Sequence, residues 1–141
     1  MKNYYRVIPT KNLLVLKKTV FVLAIGWTIL IGFLCLITFS KLPSFGVTGT
    51  DKYVHTIFHL VFTILWGYYI TTKFKEIILH KIFQIVLISI VYGIIIEILQ
   101  ETITTTRQAD LKDVFANITG ASLGFALFFL LKRKKTANIN K

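Results

Sequence analysis

Apolar residues fall in four long runs along the chain, at roughly 19–39, 53–72, 82–100 and 114–131, and polar residues collect between them. Each run is about 18–21 residues, the length an α-helix needs at ~1.5 Å per residue to cross ~30 Å of hydrocarbon. The pattern predicts an all-α fold, a four-transmembrane-helix bundle. Residues 1–17 form a basic N-terminal segment in which Pro9 discourages a long helix. Residues 18–131 form the transmembrane domain and 132–141 a basic tail, expected to be disordered beyond Lys135. Pro43, Gly46 and Gly49 favour turns in the first loop, and Thr102 and Thr104–Thr106 favour non-helical structure in the third. The short 73–81 loop makes spans two and three antiparallel neighbours.

Composition agrees. The chain is 55% hydrophobic with a mean hydropathy of +0.69, too little polar surface for a water-soluble globule. A formal net charge of +11 would suggest nucleic acid if the cations formed a groove. They sit at the ends of the apolar runs instead, as membrane-flanking charge does, so no nucleic-acid partner is expected. Of 17 Lys and Arg, only Lys41, Lys52, Arg107 and Lys112 lie outside residues 1–18, the 73–81 loop and the tail. The positive-inside rule then places both termini in the cytoplasm, and the 40–52 and 101–112 loops outside, in a multi-pass protein of the cytoplasmic membrane. The first run is too long for a signal-peptide core and lacks a small-residue cleavage site, so it reads as a retained helix. The single Cys35 excludes an internal disulfide.

Five of the six acids gather at the outer end: Asp51, Glu97, Glu101, Asp110 and Asp113, joined by Lys52, His55, His59, Gln100, Arg107 and Asn117. Asp51, His55 and His59 are spaced i, i+4, i+8 and line one face of the second helix. Glu97 shares a face of the third helix with Gln100 or Glu101. Asp113, Asn117, Gly120 and Gly124 share one of the fourth. The helix rise places His55, His59, Glu97 and Asn117 about 4–10 Å below the outer ends of their spans. Polar groups at that depth turn inward, because facing lipid is costly. Arg107 is the expected cationic partner of Glu97 or Asp113.

Plainer roles stand beside these. Asp113 precedes an apolar run and is placed to cap the fourth helix. Asn117 can serve helix–helix hydrogen bonding, His59 reads as a packed imidazole, and Gly120 and Gly124 read as close helix packing. His55 and His59 can reach one Zn²⁺ together, with Asp51, Glu97 or Asp113 completing the shell. Thr56 stands where the H-E-x-x-H signature needs Glu, however, and neither a metal nor a cofactor is expected. Ser89 and Ser122 lie deep in apolar runs and Cys35 on another helix, so no nucleophile is evident.

The stretch Tyr92–Gln100 with its Glu-x-x-Gln, then Arg107, then Asp113-x3-Asn117-x2-Gly120-x3-Gly124, closely resembles the VanZ-like family, and Asp51-Lys52-x2-His55 is similar to its second-span element. The resemblance covers about half the chain. It implies a small integral membrane protein of the cell envelope, from a family whose founding member is associated with teicoplanin resistance and to which no agreed activity attaches. The matching positions are Asp51, Lys52, His55, Glu97, Gln100, Arg107, Asp113 and Asn117. His59 falls outside the family pattern, which weakens a two-His metal site.

The leading functional expectation is an outward polar pocket that binds a membrane lipid, a lipid-linked wall precursor or an amphiphilic glycopeptide. Lys52 and Arg107 would meet phosphate or carboxylate in it. The alternative is an enzyme acting on a lipid headgroup, with His55 as general acid or base and Glu97 or Asp113 fixing its tautomer. An ion carrier fits poorly, since Glu97 lies far from the midplane and no polar path reaches the cytoplasm.

Overall fold

Every apolar run is helical in the computed structural model, which describes residues 10–37, 50–103 and 109–139. The helices are α1 (Thr10–Leu36), α2 (Thr50–Phe74), α3 (Leu79–Ile103) and α4 (Leu111–Ile139). Each is long and apolar enough to cross a membrane, and no strand occurs among the described residues.

Two ends extend beyond expectation. α1 starts at Thr10, immediately after Pro9 in sequence. A proline at a helix start removes no intrahelical hydrogen bond, so it marks the boundary and does not forbid the helix. α4 continues to Ile139, through the tail expected to be disordered. Lys132, Arg133, Lys134 and Lys135 lie on this stretch, beyond the apolar run. Both helix ends carry basic residues away from the apolar centre, so extra turns do not bury charge. The α2–α3 connection is short, as expected. Lys75 takes a left-handed conformation (φ 58°) just after α2, and the Ile78 carbonyl accepts the Lys81 and Ile82 N–H groups at 3.0 and 3.1 Å to open α3.

Burial is reversed relative to a domain in water. Val22, Ile29, Phe33, Ile88, Val91, Leu123 and Leu130 are exposed, whereas His55, His59, Thr63, Ser89, Glu97, Gln100, Asp113 and Asn117 are buried. Hydrocarbon solvates the first group at no cost, while the second must find partners inside the bundle. A small apolar core of Ile31, Cys35, Phe62, Ile85 and Ile96 lies among α1, α2 and α3.

α2 is the hub. It packs on the other three helices, α4 most extensively, while α1 and α4 do not touch among the described residues. Two glycines set the α2–α4 approach. A Cβ on Gly120 would collide with the Thr56 carbonyl and sit 3.0 Å from the Leu60 nitrogen, and one on Gly124 would come within 2.7 Å of the Thr63 side chain. Small residues in membrane helices allow this backbone proximity, and here it brings the α2 and α4 polar faces into contact.

Candidate functional site

The polar cluster forms at one end of the bundle, where α2 and α4 begin and α3 finishes. On α2 the i, i+4, i+8 face holds: His55 and His59 are each only 2% exposed, and Asp51, one turn nearer the end, stays half-exposed. Glu97 from α3 and Asp113 and Asn117 from α4 are also buried.

His55 is the centre. Its Nδ1 lies 3.1 Å from Asn117 Oδ1. A carbonyl oxygen only accepts, so Nδ1 carries the proton of that bond. Glu97 Oε1 stands 3.8 Å from the same nitrogen. On the other side of the ring, Nε2 lies 3.8 Å from Asp51 Oδ1 and 3.9 Å from Asp113 Oδ2. The Gly93 backbone leaves room for the assembly, because a Cβ there would meet the Asn117 amide at 2.6 Å and the His59 ring at 3.0 Å.

Asp110 closes the cluster, and it corrects one expectation. Its Oδ1 accepts the Lys112 N–H at 2.8 Å, and its carbonyl accepts the Asp113 N–H at 2.9 Å. Asp110 is therefore the N-cap of α4, a task expected of Asp113. Its own N–H donates to Glu97 Oε2 at 3.2 Å. The Lys112 N–H, followed by the Lys52 ammonium, holds the Asp110 carboxyl below its ordinary value of 3.8. With the cap supplied from Asp110, the Asp113 side chain is free to face α2.

Lys52 donates to Asp110 Oδ2 at 3.1 Å and to Asp113 Oδ1 at 3.2 Å. Arg107, expected to pair with Glu97 or Asp113, lies outside the described residues. Gln100 reaches α1, where its amide nitrogen donates to the Cys35 carbonyl at 2.8 Å. Glu101, the alternative on that face, is exposed.

His59 does not join His55. Its Nδ1 bonds Ser89 Oγ at 2.8 Å, and its ring packs near Phe62 and Tyr92 with centroids 6.3 and 6.5 Å away. The packed-imidazole reading describes it well. The potential ligand atoms that do converge belong to Asp51, His55 and Asp113, all within 4.8 Å of one another. Sequence reasoning names Asp110 among the outer acids but not as a cap, and places Ser89 in an apolar run without a partner. An Asp one residue before a helix start is an N-cap signal, whereas nothing in the sequence marks Ser89 as the partner of His59.

One atom stands out energetically. Glu97 Oε1 is buried and has no hydrogen-bond partner among the described residues.

No curated protein and no solved structure matches the chain. The sequence profile of the VanZ/LLP1 family matches residues 3–132, nearly the whole chain and both segments that build the polar cluster. With four membrane-length helices and a match of that extent, this multi-pass membrane protein belongs to the VanZ/LLP1 family.

Proposed function

We propose that the polar end of the bundle faces the exterior of the cytoplasmic membrane and holds the headgroup of an amphiphile. Teicoplanin-type glycopeptides and lipid-linked wall precursors are its ligand class, and the protein's contribution to glycopeptide resistance is the sequestration of such a molecule. The observation that carries this reading is the unsatisfied Glu97 Oε1. A buried acceptor left without a donor costs about 1–3 kcal/mol, more when charged, and a ligand donor arriving there would offset that cost.

The charge of the cluster refines the ligand. Asp51, Glu97, Asp110 and Asp113 lie at this end of the bundle, and the Lys52 ammonium is already engaged by Asp110 and Asp113. A bare phosphate would have to break that pair, so a headgroup rich in N–H or ammonium donors is the better complement. An apolar cavity of about 220 Å³, lined by Thr28, Phe62, Trp66, Ile85, Ile88 and Tyr92, offers room for part of an acyl chain. Phe62 follows His55 by seven residues of helix, or about 10 Å, a separation that suits a head and tail of one molecule.

The test is mass spectrometry of amphiphiles retained by the detergent-purified protein, wild type against Glu97→Gln, alongside teicoplanin susceptibility of cells expressing each. The wild type should retain a discrete species and raise the inhibitory concentration, and both effects should fall severalfold in the variant. Equal retention and equal susceptibility for two well-inserted proteins would discard the pocket.

A second reading, a lipid-headgroup enzyme with His55 as acid or base, draws on the carboxylates that flank both ring nitrogens. Among the described residues it has no accessible nucleophile beside His55: Ser89 is fully buried against His59, and Ser122 is exposed farther along α4. A water nucleophile would serve only if purified protein turned over a lipid and His55→Ala abolished that turnover.

A further inference from the structure

We infer that Asp51, His55 and Asp113 form a binding site for a divalent transition cation of the zinc type, a property that does not depend on the amphiphile reading. In the neutral imidazole, donation of the His55 Nδ1–H to Asn117 Oδ1 at 3.1 Å leaves Nε2 to present its lone pair on the opposite side. Among the described residues no hydrogen bond reaches that nitrogen, in a ring that is only 2% exposed, and it lies between two carboxylates at 3.8 and 3.9 Å. Three electron-pair donors therefore converge, with the Lys52 ammonium on the other oxygen of Asp113. An imidazole whose far N–H is fixed by an oxygen acceptor is the usual arrangement of a metal-ligating histidine, because that bond sets the tautomer and ring direction.

The dimensions fit with a small adjustment. The three donor atoms lie within 4.8 Å of one another, and ligands about 2.0–2.2 Å from one ion stand about 3.3–3.5 Å apart. Asp51, half-exposed and without a side-chain hydrogen bond among the described residues, can close that gap by side-chain rotation. One imidazole nitrogen and two carboxylate oxygens suit zinc or manganese better than magnesium. Asp113 gives its other oxygen to Lys52 at 3.2 Å, which holds the carboxylate in place and leaves Oδ2 for the ion. Three protein ligands leave a coordination position open toward the exposed Asp51 side. The His55–His59 pair weighed from sequence is not the site, because His59 is committed to Ser89.

The experiment uses full-length, tag-free protein in micelles, stripped with chelator and titrated with ZnCl₂ by calorimetry, with bound zinc counted after dialysis. MgCl₂ serves as the competitor. About one zinc per chain should bind in the presence of excess magnesium. Asp51→Asn, which alters a half-exposed side chain and leaves the packing intact, should weaken binding by more than about tenfold, since even supporting groups contribute that much. His55→Gln should abolish binding, and Glu101→Gln, an exposed acid at the same end, should leave it unchanged. Absence of bound zinc overturns the inference, and so does binding that Asp51→Asn leaves as tight as in wild type.

Discussion

Asp110 answers three demands at once: it caps α4 through Oδ1, grips Lys52 through Oδ2, and offers its N–H to Glu97. Its carboxyl is held below the ordinary value in the folded protein, so the folded state binds this proton less readily than the unfolded chain. The resulting stabilisation is present above the unfolded value of 3.8 and is lost as pH falls through it toward the lower folded value. Thermal midpoints measured in micelles between pH 7 and pH 3 should therefore drop further in wild type than in Asp110→Asn. The variant, which keeps a cap but loses the charge, should start from the lower midpoint at pH 7. Parallel curves would show that the Lys52 pairing contributes nothing. That an Asp caps α4 was legible in the sequence, although Asp113 was expected and Asp110 does it. The choice of Lys52 as partner was not, because the two residues are 58 positions apart.

Helix packing puts these side chains in register, and the glycines of the chain differ in what they do for it. Gly120 faces α2 backbone, which cannot move aside, whereas a Cβ on Gly26 would meet nothing within 4 Å. Gly120→Ala should destabilise the bundle by about 1–3 kcal/mol, as overpacking does. Gly26→Ala should be neutral or stabilise by up to about 1 kcal/mol through the better helix former. Thermal unfolding of the two variants in one detergent separates these outcomes, and equal midpoints would remove the close α2–α4 approach from the argument. The Gly120-x3-Gly124 spacing announced close packing in the sequence. Its partner helix could not be read there, since α2 and α3 were equally available neighbours of α4.

For the whole molecule, the distribution of cations sets the orientation expected in the membrane. Ala109, beside the polar cluster, and Thr136, near the basic end of α4, are both exposed. Ala109→Cys should react with a membrane-impermeant maleimide on intact cells, and Thr136→Cys only after the cells are opened. Cys35 is buried and does not compete. The reverse pattern would place the polar cluster in the cytoplasm and end the proposal of an extracytoplasmic ligand.

Sequence alone determined that four helices cross a membrane and that His55, Glu97 and Asn117 share a depth, because hydropathy and a fixed rise per residue require no knowledge of neighbours. It also placed the family signature on the segments that build the cluster. Only the tertiary structure decided that His55 meets Asn117, that Lys52 meets Asp110 and Asp113, that Gln100 turns to α1, and that His59 pairs with Ser89. Depth along a helix is local, but which side chains touch depends on how far each helix is rotated about its own axis. That rotation is fixed by interhelical contacts such as Gly120 against Thr56, between residues far apart in the chain.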